Sequence, residues 1–341
     1  MRALITGGAG FIGCNVADHH LRSGDEVVLL DNLGRPGTRA NLDWLESCHA
    51  SGLSTYVGDI RHAEFVREVM GSVGELDRVY HLAGQVAVTT SVQNPREDFE
   101  INALGTFNVL EAVRSCAPEA AVIYASTNKV YGEMEELAVV EDDTRYRFRD
   151  VDGIAESQPL DFHSPYGCSK GAGDQYVRDY SRIYGLRTIV MRQSCIYGPR
   201  QMGVEDQGWV AHFCIAANKG VPITIFGNGK QVRDVLWIDD LIAAYDAAVD
   251  RVDASSGQIY NIGGGPANTM SIWAEFGPIL EQIADRSIEV TYSDWRPGDQ
   301  PVYVSDITKA EQQLGWKPEV SLTQGVEFLW YWVARNMDLF S

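Results

Sequence analysis

The sequence predicts an α/β protein, a doubly wound parallel sheet with a smaller, interleaved C-terminal substrate lobe. Three observations predict it. Short β-branched runs alternate with amphipathic stretches through the first half, the pattern of βαβ units. A glycine-rich turn, Thr6-Gly7-Gly8-Ala9-Gly10-Phe11-Ile12-Gly13, joins the first such run to the first amphipathic stretch. After Gln193 the pattern changes to short elements separated by Gly198-Pro199, Gly227-Asn228-Gly229, Gly263-Gly264-Gly265-Pro266 and Arg296-Pro297-Gly298.

Taken in order, apolar and β-branched runs place strands at 2–6, 26–30, 54–57, 77–82, 120–125 and 187–192. Periodic stretches place helices at 11–22, 63–71, 95–115 and 165–184. This succession is that of a Rossmann-type fold. The segment between Gly132 and Ser164, rich in acids and aromatics, is too irregular for one element, and loops of that length are often functional. Residues 233–249 read as a strand and a helix that return to the large sheet. The division expected is therefore 1–192 plus 233–262 for a cofactor domain and 193–232 plus 263–341 for the substrate lobe.

Composition narrows the function. Against 28 Lys and Arg stand 47 Asp and Glu, a net charge of −19 that repels nucleic-acid backbones and anionic lipid. No apolar stretch reaches the ~18 residues of a membrane span. The six cysteines lie singly and suit a reducing cytoplasm, and the seven histidines show no ligand spacing, so no metal is expected.

In the first turn, Gly7 allows a tight bend, Gly10 lets backbone approach a pyrophosphate, and Gly13 permits close packing of helix on strand. The anion then sits on the helix N-terminus. Asp31 ends the second strand, where a carboxylate accepts hydrogen bonds from ribose hydroxyls and repels a 2′-phosphate. NAD is therefore expected over NADP, although Arg35 and Arg39 follow closely. Asp59-Ile60, after the third strand, is a candidate adenine contact or a surface turn.

Tyr166-Gly167-Cys168-Ser169-Lys170 sets a phenol and an ammonium on one face of a helix. A free phenol titrates near 10, so useful phenolate near neutrality requires a fall of ~3 pH units, about 4 kcal/mol, from the Lys170 charge and an oxidised nicotinamide. Tyr166 is then a general base. Thr127 stands at the carboxyl end of the fifth strand, where such sheets bind ligands, and can bridge Tyr166 and a reacting hydroxyl. Cys195 reads as a buried thiol and His81 as a core residue. In this acidic chain Arg233 and Arg296 stand out as cations for phosphate oxygens, their alternative being surface salt bridges.

The glycine turn, Asp31, Leu82-Ala83-Gly84, Asn102, Thr127 and the Tyr166/Lys170 pair together resemble the extended short-chain dehydrogenase/reductase family of nucleotide-sugar epimerases and dehydratases. The resemblance covers essentially the whole chain. It implies NAD held by Gly7, Gly10, Phe11, Ile12, Gly13, Asp31, Asn32, Asp59, Ile60, Leu82, Ala83, Gly84, Asn102, Tyr166 and Lys170, with Thr127, Tyr166 and Lys170 catalytic. Candidate substrate contacts are Gln85, Thr127, His163, Gln193, Ser194, Gln207, Trp209, Ile225, Arg233 and Arg296, with a role at the helix entry as the alternative for His163. The family's dehydratases carry Asp-Glu after the catalytic Thr, whereas this chain has Asn128-Lys129 and lacks that acid and base.

Runs 162–171, 192–201 and 203–209 look like the branch that inverts C2 of a CDP-linked sugar. A 4-epimerase of UDP-hexoses is the alternative enzyme, and a non-catalytic NAD-binding sensor or scaffold the alternative of another class. A homodimer or homotetramer is implied by the same resemblance.

Overall fold

The computed structural model describes residues 1–296 and 299–340, so Pro297 and Gly298 of the expected 296–298 turn lie outside the described residues. The chain divides into two compact units. The first comprises Met1–Val130, Ser164–Arg192 and Tyr245–Tyr260, the second Tyr131–His163, Gln193–Ala244 and Asn261–Ser341. No helix among the described residues is long and apolar enough to cross a membrane.

In the first unit a sheet grows from β1 (Arg2–Thr6), β2 (Glu26–Asp31), β3 (Leu53–Val57), β4 (Arg78–His81), β5 (Ala121–Thr127), β6 (Arg187–Gln193) and β7 (Ile259–Ile262). Their order is β7-β6-β5-β4-β1-β2-β3, and the registers joining β1 to β2 and β4, β2 to β3, and β4 to β5 are parallel. The order reverses at β1, which makes the carboxyl ends of β1 and β4 the switch point where such sheets bind ligands. β1, β2 and β5 read as near-continuous apolar runs because both faces are covered. Leu4, Val28, Val79, Val122 and Val190 of the sheet pack with Val66, Val109, Val113 and Val177 of the helices in one buried cluster.

The helices are α1 (Phe11–Arg22), α2 (Thr38–Cys48), α3 (Ala63–Ser72), α4 (Val88–Gln93), α5 (Pro95–Phe99), α6 (Gly105–Cys116) and α7 (Ser164–Tyr184). The single helix expected over 95–115 is α5, a π-helical stretch Glu100–Leu104, and α6 in direct succession. A π stretch differs from α-helix in its i→i+5 hydrogen bonding and not in residue type, so the residue types do not reveal it.

The second unit is built from smaller sheets. Strand Val232–Trp237 is buried at every residue and pairs with Thr269–Ser271, Val302–Tyr303 and Cys195–Tyr197. The sequence expectation that this strand returns to the large sheet is thus corrected, because its ladder positions are taken within its own unit. The helix Ile238–Val249 follows it, and β7 joins the large sheet instead. Residues 131–163 also lie in this unit, whereas the sequence division puts them in the first, and their Val139–Glu141 and Tyr146–Phe148 form an antiparallel pair. Strand Ile223–Phe226 pairs in parallel with Val290–Ser293.

Candidate active site

The glycine turn fits a dinucleotide by exclusion of side chains. Gly7 has φ +69°, and a Cβ there would lie 2.7 Å from Ala83 N. A Cβ on Gly13 would lie 2.2 Å from Gly7 O. Helix α1 begins at Phe11 and Ile12 after Gly10, with no side-chain cap and no acid in its first turn. Its first-turn N–H groups therefore suit an anion such as a pyrophosphate.

Asp31, buried at the end of β2, is fastened to this turn. Its Oδ2 accepts Ala9 N at 3.0 Å and its Oδ1 accepts Leu33 N at 2.8 Å. Burial pushes the carboxyl above its ordinary value, against those backbone bonds and the Arg35 charge. Asn32 Nδ2 donates to Asp59 Oδ2 at 2.9 Å. Burial alone would raise Asp59, but the Arg61 side chain and backbone and Asn32 hold it at about 2. Ile60 is core, its carbonyl accepting Asn108 Nδ2 at 2.9 Å. Arg39 faces outward beside Asp43, whereas the Arg35 charge acts on both Asp31 and Tyr166.

The loop after β4 is tied to β1: Leu82 N donates to Thr6 O at 3.1 Å and Ala83 N to Thr6 Oγ1 at 3.3 Å. Past Gly84, the side chain of Asn102 clamps the Gln85 main chain, accepting from its N at 2.9 Å and donating to its O at 3.1 Å. Asn102 can do so from the π stretch. His81 is a core residue, bonded to Thr6 Oγ1 at 2.7 Å and Thr106 Oγ1 at 2.9 Å, and burial pushes it down to about 3.

Helix α7 enters through Ser164 at φ +65°, a strained conformation for a non-glycine residue. Its Oγ accepts Gly167 N at 3.2 Å, while Ser91 Oγ accepts Tyr166 N at 3.1 Å. The Tyr166 phenol is buried, and the Thr127 side chain acts to lower its pKa. Lys170 Nζ donates to Ala125 O at 2.6 Å and lies 4.4 Å from the Tyr124 ring centroid. Thr127 Oγ1 in turn approaches Asn128 Oδ1 and Lys129 N, each at 3.3 Å.

Burial pushes the Tyr166 phenol above its ordinary value; Asp98 adds to this, while Thr127 and Arg35 oppose it. Burial pushes Lys170 down to about 8 against the charges of Asp174 and Asp98. With the protein groups alone, removal from water dominates both side chains, and the fall expected for the phenol also calls on the charge of an oxidised nicotinamide.

The remaining candidates belong to the second unit. Arg233 is buried, donating to Asp299 Oδ1 at 2.5 Å and to Val232 O at 2.7 Å. Arg296 lies 3.8 Å over the Phe226 ring, donates to Glu205 O at 3.0 Å and stands 3.5 Å from Asp206. One short segment thus supplies both Arg296 and the partner of Arg233. Ile225 is fully buried and does not reach this face; the strand alternation gives that place to Phe226. Trp209 starts the helix Trp209–Lys219 against Phe213 and Phe276, with its indole N–H buried and unpaired. Gln207 closes a tight turn with Val204 through two backbone bonds of 3.0 Å. Gln193 is buried, and Ser194 Oγ donates to Asp234. His163 is exposed and paired with Asp161 at 2.9 Å and Glu133 at 3.4 Å.

Sequence reasoning missed Ser91, Asp98, Ser169, Phe226 and Asp299. Phe226 and Asp299 were within reach, through period-2 alternation and closeness to Arg296 in the chain. The others become visible once the helices are packed.

A glycine cradle at the switch point beside a buried Tyr/Thr/Lys group defines the class of nicotinamide-dependent enzymes acting on alcohols. Residues 4–329 match the family model described as GDP-mannose 4,6 dehydratase, and the chain belongs to that family, within the extended short-chain dehydrogenases/reductases. It is 46% identical to the CDP-paratose 2-epimerase of Salmonella typhi, over 98% of this chain and 99% of that protein. Among solved structures, the UDP-glucose 4-epimerase of Thermotoga maritima with UDP-glucose is similar at TM-score 0.85 and 30% identity, covering 99% of this chain and 100% of that one. The UDP-glucose 4-epimerase of Thermus thermophilus in complex with NAD is similar at TM-score 0.82 and 32% identity, covering 98% and 99%.

Proposed function

We propose that this enzyme inverts C2 of CDP-paratose, with CDP-glucose as a second candidate substrate, using tightly bound NAD. The observation that carries the chemistry is the buried Tyr166 phenol, on which the Thr127 side chain acts, with Lys170 one helical turn away and a glycine cradle in the same unit. Similarity to the Salmonella typhi 2-epimerase supports the substrate. Asn128 and Lys129, which follow Thr127, supply no acid–base pair for a dehydration and support epimerisation over it.

The Gly7–Gly13 turn would hold the pyrophosphate of NAD, Asp31 its adenosine ribose, and Tyr166 and Lys170 its nicotinamide ribose. When bound, NAD supplies the reversible hydride acceptor and a positive ring that favours phenolate. Tyr166 Oη takes the proton of the C2 hydroxyl, with Thr127 Oγ1 orienting that hydroxyl, and returns it after the 2-keto sugar has presented its other face. Lys170 lends positive charge. Arg233 and Arg296 bind the diphosphate, exchanging Asp299 and Asp206 for phosphate oxygens.

Because the reaction has no net redox change, NAD is expected to co-purify; full activity of a preparation free of nicotinamide contradicts this. Gly13→Ala forces apart backbone that stands within 2.2 Å of the new Cβ, so at least a tenfold fall in NAD content per protein is expected, read by denaturing release and absorbance. Arg296→Gln is expected to raise KM for the nucleotide sugar about tenfold with kcat little changed, and an unchanged KM removes Arg296 from the diphosphate site.

The exposed Phe107, Tyr176, Ile183 and Tyr184 of α6 and α7, with Phe107 and Tyr176 ring centroids 6.0 Å apart, support a homodimer. The six free cysteines support a cytoplasmic location.

A further inference from the structure

One buried carboxylate stands beside the reacting pair without a place in the chemistry above. Asp98, in α5, is 1% exposed, and its hydrogen-bond donors are all neutral. Gln85 Nε2 donates at 2.9 Å, Asn102 Nδ2 at 3.2 Å, and Ser169 Oγ also donates. They come from the loop after β4, the π stretch and α7. Burial pushes this carboxyl above its ordinary value, while the Ser169, Gln85 and Asn102 side chains and the Lys170 charge oppose the rise; donors on both oxygens favour the anion, which accepts without giving up a position to its own proton.

The three contacts meet where the site needs rigidity. Ser169 stands between Tyr166 and Lys170 in the chain, and its Oγ also lies 3.1 Å from Asn102 Nδ2 and 3.2 Å from Tyr166 O. The Asn102 amide that reaches Asp98 also clamps Gln85, so one carboxylate fastens α7 to the loop carrying Ala83 and Gly84.

Its charge also faces the pair. On Tyr166 the protein charges are Asp98, which favours the phenol, and Arg35, which opposes it. On Lys170 they are Asp174 and Asp98, both favouring the ammonium. Asp174 is already engaged by Arg192. Of the elements packed on α7, α4 carries no charged residue. Arg96 pairs with Glu100 at 2.8 Å, Glu97 faces Arg61 at 3.9 Å, and Glu111 pairs with Arg114 at 2.7 Å. From the sheet, the Tyr124 ring and the His81 ring lie near the ammonium, and burial holds both uncharged.

We propose that Asp98 is a positioning residue for the epimerisation: its carboxylate locks the Ser169 turn of α7 and supplies the fixed negative charge that sets the proton balance of Tyr166 and Lys170. This rests on the reading of Tyr166 and Lys170 as the reacting pair.

The test uses the protein purified with its NAD and carrying carbon-13 in the tyrosine rings. The Tyr166 signal is assigned by its loss in Tyr166→Phe, and its titration is followed by NMR without substrate. In Asp98→Asn, Tyr166 is expected to titrate about one pH unit lower, and both limbs of the kcat profile to move together toward acid. Asp98→Glu keeps the charge and is expected to leave the titration in place. An unmoved titration in folded Asp98→Asn, or an equal shift in Asp98→Glu, overturns the electrostatic part.

Ser169→Ala removes one hydroxyl and carries the test if Asp98→Asn does not fold. It is expected to lower kcat about tenfold without moving the Tyr166 titration, and an unchanged kcat overturns the tether. A protein that titrates as expected yet leaves CDP-paratose unchanged contradicts the proposed substrate and not this role of Asp98.

Discussion

Replacing Tyr166 with Phe is expected to lower kcat about 10³-fold while NAD stays bound through the glycine turn, Asp31 and Lys170. The two effects separate because the ring and the hydroxyl do different work. The ring is packed in the first unit and is retained, so the fold and the glycine cradle are undisturbed. The hydroxyl is lost, and with it the group proposed to accept the C2 proton. Burial holds Lys170 at about 8, near enough to neutrality for its charge to follow pH: above that value the ammonium empties and activity is expected to fall. If kcat survives within a few-fold in Tyr166→Phe, the base is another group.

Asp174→Ala is expected to cost about 3–5 kcal/mol of unfolding free energy, measured by urea denaturation. Both Asp174 oxygens are engaged by Arg192, Nε to Oδ2 and Nη2 to Oδ1, each at 2.9 Å, and Ser126 Oγ donates to Oδ2 at 2.7 Å. Asp174 is 0% and Arg192 2% exposed, so removing the carboxylate strands a guanidinium that cannot reach water. The cost is that of an uncompensated buried charge and not the net worth of the pair. Arg192→Met combined with Asp174→Ala is therefore expected to be less destabilised than the sum of the two single changes; additivity would show that the two side chains act independently.

The legibility of this fold follows from how each feature is encoded. β1, β2 and β5 were readable because a strand buried on both faces must be a near-continuous apolar run. Helix α2 was missed: its buried face includes Thr38 and Asn41 beside Leu42 and Leu45, and the polar Asn41 is accommodated by donating to Ala9 O at 3.2 Å. That bond exists through packing alone. The π stretch was illegible for a related reason, since Glu100–Leu104 differs from α-helix in hydrogen bonding and not in residue type.

Within the site, the glycine turn, Asp31 and the Tyr166–Lys170 spacing are patterns local in the chain and so visible in the sequence. The proton balance of that pair was not, because desolvation depends on what the fold places around it. Ile225 lies in the core while its neighbour Phe226 is half-buried, since in a strand one residue is the difference between core and outer face.

The most direct measurement of the central claim is proton NMR of the purified protein in D2O with CDP-paratose, run in parallel with CDP-glucose and UDP-glucose. The result expected is conversion of CDP-paratose to its C2 epimer with the carbon-bound proton retained, since the hydride that leaves C2 returns to it without exchanging with solvent. A C4 epimer formed from UDP-glucose would instead make the enzyme a UDP-hexose 4-epimerase. Deuterium at C2, or no change in any of the three sugars with NAD bound, would contradict transient oxidation at C2.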